Sequence, residues 1–409
     1  MAAYLDHAAT APMLAEAIEA YTSAMTVVGN PASIHSPGQN AKRMLEEARE
    51  RVASTLGCDP IEVVFTGSGT EAVNLALKGL FWARPGRRIL MPGGEHHATI
   101  DTVEWLERHE GAVVETLPLD ELGRVDLYAL ESAIAADPAS VAFVTSLWAN
   151  NEVGTVQPVT AIAALSARFG LPLHIDAVAA YGQLPIDFAG VRNASSGVDG
   201  SNGIDGSGLV ALSVSAHKIG GPVGIGALVL SRAATVEPLI HGGGQQRQLR
   251  SGTQDVAAAV SFAAAASIST ARIDDEALRL ARLRDRLVDG VTTAVSDAVS
   301  NGDPNPSGRL PGNAHFSFPG CEGDSLLFLL DAAGVAVSTG SACQAGIPEP
   351  SHVLRAMGRG ELEARGALRM TLGHTSTEAD IDAFLAALPG AHARAVLAGL
   401  ADRVTSFDR

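Results

Sequence analysis

The chain has 409 residues and 46% of them are hydrophobic, so it can bury a large core, and its length predicts two domains. Its formal net charge of −16 argues against binding to nucleic acid or to an anionic membrane surface, because both require clustered lysine and arginine. The N-terminus lacks the charged and apolar stretches of a targeting signal, and no apolar run approaches the roughly 18 residues of a spanning helix. We therefore expect a cytoplasmic protein.

Short apolar strands alternate with amphipathic helical stretches, a pattern typical of a mostly parallel sheet flanked by helices. Seven strands are predicted at residues 62–66, 88–91, 112–117, 141–147, 171–175, 209–214 and 226–230, and helices at 71–80, 99–109, 127–135 and 159–169. Residues 193–208, immediately before the strand predicted at 209–214, are rich in Gly, Ser, Asp and Asn, which predicts a surface loop.

The remaining third of the chain predicts a smaller α+β domain. Residues 256–300 are alanine-rich and helical, and strands are predicted at 312–318, 334–338 and 367–372. We therefore predict a large α/β domain over residues 15–260 with the seven-stranded sheet, and a small domain formed by residues 1–14 and 261–409. The large domain is expected to carry most of the binding residues, because α/β proteins place their sites where strands end.

Several polar turns follow the predicted strands. Gly69 and Thr70 lie in a turn that enters a helix, where free backbone N–H groups and a hydroxyl suit a phosphate. His96 is followed by a second histidine, but neighbouring helix positions point apart and no further ligand follows at metal-like spacing, so no metal site is predicted. Asn151 and Asp176 also come at strand ends. For each of these residues a structural helix cap or turn is the alternative.

Lys218 is one of only three lysines, and arginine supplies the other 26 of the 29 basic residues. It lies beside Ser215 and His217 and before two glycines, whereas Lys42 and Lys78 lie in ordinary helical surroundings. Arginine cannot form imines at neutral pH, so a lysine retained in such a run suggests amine chemistry, most commonly a Schiff base to pyridoxal phosphate. A surface lysine on a turn is an equally good interpretation of this run alone.

The three cysteines, Cys58, Cys321 and Cys343, are odd in number and unevenly spaced. This arrangement fits neither a disulfide framework nor a paired zinc motif. A reactive thiol and a buried structural cysteine are both open interpretations at this point.

A series of motifs in order along nearly the whole chain resembles the cysteine desulfurases, pyridoxal-phosphate enzymes of the class V aminotransferase group with the type I fold. The motifs are Tyr-Leu-Asp-His-Ala-Ala-Thr at 4–10, Asn-Pro-Ala-Ser-Ile-His at 30–35, Glu-His-His-Ala at 95–98, Asn-Asn-Glu-Val-Gly at 150–154, Ser-Ala-His-Lys at 215–218, Gly-Gly-Gly-Gln-Gln-Arg at 242–247, Arg-Ser-Gly-Thr at 250–253 and Gly-Ser-Ala-Cys at 340–343.

The resemblance implies a role for each matching residue in cofactor binding. Lys218 would hold pyridoxal phosphate covalently, Asp176 would pair with its ring nitrogen, and His96 would lie against the ring and move protons. Asn151 would contact the cofactor's phenolic oxygen and the substrate. The phosphate would be bound by Gly69, Thr70, Ser215 and His217. A threonine from the neighbouring subunit, matched here by Thr253, completes that phosphate site in the family, which implies a homodimer.

The resemblance also implies the reaction. Arg369 would bind the carboxylate of L-cysteine with its bidentate fork, and Cys343, on a loop over residues 338–350, would attack the substrate sulfur. The products would be L-alanine and a persulfide on the enzyme. A sulfur-acceptor protein would follow: the short loop resembles the branch of the family that feeds an iron–sulfur scaffold or a tRNA-thiolation enzyme, and another carrier or a DNA-sulfur pathway stays open.

Three departures from the family pattern leave alternatives open. Ala179 stands where the family usually has a glutamine that contacts the cofactor, His7 stands where asparagine is common, and the turn at 66–69 has a changed Ser and Gly order. A selenocysteine lyase or another class V enzyme, which would not need Cys343 in the same way, is one alternative. A catalytically silent paralogue, suggested by Ala179 alone, is the other.

Overall fold

The computed structural model describes residues 3–195, 206–340 and 350–403. The helices are α1 (Ala15–Met25), α2 (Ser36–Leu56), α3 (Gly69–Trp82), α4 (His97–Glu110), α5 (Leu127–Ala136), α6 (Val159–Arg168), α7 (Phe188–Ser195), α8 (Val256–Ala271), α9 (Ile273–Ala294), α10 (Gly323–Ala332), α11 (His352–Ala356), α12 (Glu361–Arg365) and α13 (Glu378–Arg403). The strands are β1 (Ala3–Tyr4), β2 (Val63–Thr66), β3 (Arg88–Pro92), β4 (Val113–Leu117), β5 (Val141–Leu147), β6 (Pro172–Asp176), β7 (Gly208–Ser215), β8 (Gly226–Leu230), β9 (Val299–Ser300), β10 (Asn313–Ser317), β11 (Val335–Ala336) and β12 (Ala367–Thr371).

The large sheet contains all seven predicted strands of the first part of the chain, in the order β2-β8-β7-β6-β5-β3-β4. The strands β3 to β7 pair in parallel wherever they are neighbours, as does β4 with β3, whereas β8 runs antiparallel to both β2 and β7. The predicted mostly parallel seven-stranded sheet is therefore confirmed.

Both faces of this sheet are covered by helices, which explains why its central strands are apolar throughout. Successive side chains of a strand point to opposite faces. Phe143 on β5 accordingly packs in the core under α3 and α4, while the next residue, Val144, packs in the core under α2, α6 and α8. All seven residues of β5 are buried.

The second part of the chain forms two small sheets around a separate apolar core. Strands β9, β10 and β12 form an antiparallel sheet in the order β12-β10-β9, and β1 pairs in parallel with β11. The strand predicted at 334–338 is thus shorter than expected and joins the N-terminal strand instead of β10. The two-residue strands β1 and β9 are missing from the prediction because two residues show no periodicity.

Most of the predicted helical stretch 256–300 is two helices, α8 and α9, that meet at an angle of 70°, but its last two residues form strand β9. Helix α8 packs on α1 and α2, and α9 packs on α13 and β10. The division of the chain at residue 260 stays a prediction.

Within the described residues, one segment, Glu378–Ala398 of α13, is long and apolar enough to cross a membrane by length and composition alone. Its buried positions recur every three or four residues, as in a core helix with one apolar face. These residues pack in the second core: Ile381, Phe384, Leu388, Ala391 and Ala395.

Candidate active site

A cavity of about 480 Å³ lies beyond the carboxyl ends of β5, β6 and β7, where the two parts of the chain meet. Parallel strands that are neighbours bring their carboxyl ends to one edge, so residues far apart in sequence converge there. Nine of the eleven predicted site residues line this cavity: Gly69, Thr70, His96, Asn151, Asp176, Ser215, His217, Lys218 and Arg369. Of the other two, Thr253 is exposed and is not in the lining, and Cys343 lies outside the described residues.

One end of the cavity is built for an anion. The side chain of Ser68 accepts a hydrogen bond from the Glu71 N–H at 3.0 Å and so caps α3, whose N-terminus carries unpaired N–H groups and a partial positive charge. A Cβ on Gly69 would come within 2.8 Å of Val178 Cγ2 and 3.1 Å of Ser215 Cβ. Only glycine therefore lets the start of α3 approach the ends of β6 and β7 this closely.

The amine of Lys218 is held close to the N-terminal segment of the chain. Lys218 follows β7 in a short turn, and its Nζ donates hydrogen bonds to the carbonyl of Ala9 at 2.9 Å and to that of Ala8. Burial, reinforced by the nearby Arg369, lowers the pKa of Lys218 to about 8, although Asp6 and Asp176 oppose this shift. The amine is thus partly neutral near physiological pH, which a nucleophilic lysine requires.

Asp176 and His96 bring a buried acid and a neutral imidazole to the same cavity. Asp176 ends β6, its Oδ1 accepts a hydrogen bond from the Val178 N–H at 2.9 Å, and burial raises its pKa to about 6. His96 caps α4 through Nδ1, which accepts from the Ala98 N–H at 3.0 Å, and burial lowers its pKa to about 4. The neutral ring therefore carries its proton on Nε2, which can donate a hydrogen bond.

Arg369 is oriented by two partners that fix its guanidinium. Its Nη2 donates to Asp6 Oδ1 at 2.8 Å and its Nη1 to the carbonyl oxygen of Asn151 at 3.0 Å. Because Arg369 lies on β12, these two hydrogen bonds join the small sheet to the N-terminal segment and to the turn after β5. The planar fork can bind a ligand carboxylate in a fixed orientation.

Sequence reasoning missed two carboxyl groups near these residues. Asp6 follows β1 in the motif at 4–10, and nothing in that motif predicts a role for it. Glu95 is fully buried, its Oε1 accepts from the Leu147 N–H at 2.9 Å, and its Oε2 has no partner among the described residues. Burial, with a smaller contribution from Asp176, raises the pKa of Glu95 to about 8, so it is mostly protonated at neutral pH.

Two departures from the family pattern can be placed in the cavity. Ala179 lines it, and so does Gln183, whose Nε2 donates to the Ala179 carbonyl at 3.1 Å. A side-chain amide is therefore present four residues after position 179, where the family's glutamine is missing. His7 also lines the cavity and is held by the Thr371 carbonyl at 3.1 Å and Thr375 Oγ1 at 3.0 Å.

The aminotransferase class-V family model matches residues 3–384. An IscS-like cysteine desulfurase from Mycobacterium tuberculosis is 52% identical over 98% of both chains. Among solved structures, a NifS-like protein superimposes with a TM-score of 0.84 at 32% identity, covering 95% of this chain and 99% of that one. A structure titled SspA in complex with cysteine gives a TM-score of 0.75 at 29% identity, covering 90% of this chain and 98% of that one.

The chain belongs to the class-V aminotransferase family and, within it, to the cysteine desulfurases. These enzymes use pyridoxal phosphate, and the cavity fits that cofactor. The phosphate fits the N-terminus of α3 with Thr70 and Ser215, the aldehyde fits the amine of Lys218, and the ring nitrogen fits the carboxyl group of Asp176. The family and cofactor that the sequence motifs predict are confirmed.

The lowered pKa of Lys218 predicts how cofactor uptake depends on pH. Only the neutral amine attacks an aldehyde, and its population grows as pH rises, so the rate of covalent uptake by cofactor-free protein should rise up to about pH 8 and then level off. Stopped-flow absorbance measures this rate. A rate that keeps rising towards pH 10, the range of an ordinary lysine at about 10.4, would contradict the lowered pKa. In Asp6→Asn, which removes a group that raises this pKa, the plateau should begin at lower pH.

Proposed function

We propose that the protein converts L-cysteine to L-alanine, with the sulfur taken by Cys343 as a persulfide and passed to an acceptor protein. The observation that supports this most directly is the cavity itself, in which Lys218, Asp176, His96 and Arg369 converge. Gly340, three residues before Cys343, also lines it. The family relatives are cysteine desulfurases, and the structure titled SspA in complex with cysteine supports the same substrate here.

Lys218 has two tasks in this proposal. As a neutral amine its Nζ would hold the cofactor, and with substrate bound the same Nζ would accept the proton from the substrate Cα. When bound, pyridoxal phosphate supplies the electron sink for this proton loss. Asp176 would keep the ring nitrogen protonated, and His96 would donate a hydrogen bond from Nε2 into the cavity.

Arg369 would bind the substrate carboxylate together with Asn151. Because Asp6 and the Asn151 carbonyl already orient the guanidinium, little side-chain entropy is lost when a carboxylate binds. A carboxylate held at Arg369 and an amine near Lys218 fix the amino acid at two points.

The sulfur-transfer step balances without an external oxidant. The thiolate of Cys343 attacks the substrate sulfur, so that an S–S bond forms and the substrate Cβ–S bond breaks. The electron pair of the broken bond stays with Cβ, where a proton replaces sulfur, and a further proton returned to Cα gives L-alanine. The enzyme retains the sulfur as Cys343-S-SH.

We also propose a homodimer with shared active sites. Thr253 is exposed in the single chain, in the segment between β8 and α8, and it matches the threonine that reaches the neighbouring subunit's phosphate site in the family. Sedimentation equilibrium would measure the dimer. Loss of cofactor affinity in Thr253→Ala with the dimer retained would support the shared site.

The proposed acceptor is an iron–sulfur scaffold or a tRNA-thiolation enzyme, and the proposed compartment is the cytoplasm. In the described part of the chain Cys58 and Cys321 are free thiols. Thiols stay unpaired in a reducing compartment such as the cytoplasm, so these two cysteines support that proposal.

The experiment that tests this proposal is one turnover of cofactor-loaded protein with L-cysteine in the absence of reductant. Peptide mass spectrometry should show one added sulfur on the Cys343 peptide and none on the Cys58 and Cys321 peptides. The Cys343→Ser variant should form no persulfide at position 343, and its rate of alanine formation should be far below that of the wild type. If that variant still forms alanine from L-cysteine at the full rate, the persulfide mechanism is wrong. If it is active only towards L-selenocysteine, the protein is a lyase for that substrate.

A further inference from the structure

The turn after β5 carries a buried glutamate, Glu152, to which neither the sequence motifs nor the proposed mechanism gives a role. Its side chain is 1% exposed. Its backbone is fixed on both sides: the N–H donates to Asn150 Oδ1 at 2.8 Å, and the carbonyl accepts from Asn313 Nδ2 at 2.9 Å. Burying a carboxylate is unfavourable unless hydrogen bonds compensate for the lost hydration, so the partners of this side chain indicate what it does.

The side chain of Glu152 meets both described ends of the segment that carries Cys343. On the C-terminal side, Ser351 Oγ donates to Glu152 Oε2 at 2.6 Å, and Ser351 itself is buried and caps α11 by accepting from the Leu354 N–H. On the N-terminal side, Gly340 has a φ of +86°, and a Cβ there would lie 3.2 Å from the same Oε2. One carboxylate is therefore hydrogen-bonded to Ser351 and lies beside Gly340, where it leaves little room for a side chain.

His352 adds a second contact at the same end. Its Nε2 donates to the carbonyl of Glu95 at 2.8 Å, and its Nδ1 lies 4.0 Å from Glu152 Oε1. The ring also packs edge-on against His97, with 5.2 Å between the centroids. Glu95 and His97 thus both contact His352, the first residue of α11, close to the Glu152 carboxylate.

The backbone of Glu152 belongs to the substrate-binding turn. The preceding residue, Asn151, accepts a hydrogen bond from Arg369 through its carbonyl oxygen. The peptide that orients the proposed substrate-binding arginine is therefore directly bonded to the residue that holds Gly340 and Ser351. A single peptide therefore links the carboxylate beside Gly340 and Ser351 to the carbonyl that orients Arg369.

We propose that Glu152 is a positioning residue for sulfur transfer: its buried carboxylate fixes Gly340 and Ser351 relative to Arg369, so that Cys343, between them in sequence, can reach the substrate sulfur. This inference rests on the proposed function. The inference predicts different effects on two steps of the reaction. Proton removal at Cα by Lys218 does not depend on Glu152, whereas attack by Cys343 on the substrate sulfur does. A misplacement of about 1 Å costs about 100-fold in such a step.

The test compares two readouts in the cofactor-loaded enzyme. One is deuterium exchange at Cα of L-alanine, followed by NMR, which does not require Cys343. The other is the rate of persulfide formation on Cys343 in a single turnover with L-cysteine. In Glu152→Ala we expect persulfide formation to fall by about 10- to 100-fold, with exchange and the KM for L-cysteine within about 2-fold of wild type. Glu152→Gln, which keeps an acceptor for Ser351, should restore part of the rate.

Equal losses in exchange and in persulfide formation would overturn the inference, since they would show damage to the whole site. An unchanged persulfide rate would also overturn it. Ser351→Ala, which removes the partner of the carboxylate without touching the substrate turn, provides the same comparison if Glu152→Ala does not fold. The wild-type enzyme and Cys343→Ser separate this inference from the proposed function: absence of persulfide in the wild type would contradict the function itself.

Discussion

Replacing Lys218 with alanine should leave a folded protein that binds pyridoxal phosphate without a covalent bond and forms no measurable alanine. The variant loses both the amine that attaches the cofactor and the base near the substrate Cα. A positioned acid or base contributes about 10²- to 10⁴-fold to a rate, so we expect a loss of about 10³-fold or more. Borohydride reduction followed by peptide mass spectrometry measures the covalent bond, and an alanine assay measures the rate.

The chain offers a matched control for this variant, because it has only two other lysines. Lys42 lies exposed on α2, so Lys42→Ala should keep both the covalent cofactor and full activity. Covalent cofactor on any other residue of Lys218→Ala, or alanine formation at the wild-type rate, would refute the role assigned to Lys218.

Replacing Arg369 with leucine should reduce kcat/KM for L-cysteine by about 10²- to 10⁴-fold, mainly through a higher KM. Each charge-assisted hydrogen bond of the guanidinium is worth about 1.5–3 kcal/mol, and two such bonds to a carboxylate are lost together. The change also removes the partner of Asp6. Arg369→Lys, which keeps the charge without the planar fork, should fall between leucine and wild type.

The control here is Arg355, an exposed arginine on α11. Arg355→Leu should have wild-type steady-state kinetics. If Arg369→Leu had an unchanged KM and a normal cofactor spectrum, another group would have to bind the substrate carboxylate.

The large sheet was predictable because its strands are short apolar runs separated by segments whose apolar residues recur with helical periodicity. All seven are present, and the predicted ends of β5 and β8 coincide with the observed ones. The predicted residues at strand ends, such as Asp176 and Lys218, converge because topology brings neighbouring parallel strands to one edge. Local pattern and sheet topology are sufficient for this part of the site.

The remaining features depend on contacts between distant parts of the chain. Nothing near Asp6 in sequence indicates that it pairs with Arg369, which lies 363 residues away. Glu152 and Ser351 are 199 residues apart, and their contact depends on how the small sheets pack against the large domain. Strand β11 pairs with β1 instead of β10, a choice between partners that a five-residue apolar run does not specify.

The central claim is that this cavity removes sulfur from L-cysteine, and the most direct measurement is the release of L-alanine and sulfide by cofactor-loaded protein in the presence of a reductant that cleaves persulfides. We predict equal amounts of both products over many turnovers. Cofactor bound through Lys218 without release of either product from L-cysteine would contradict the claim and would make Ala179 the first position to restore to glutamine.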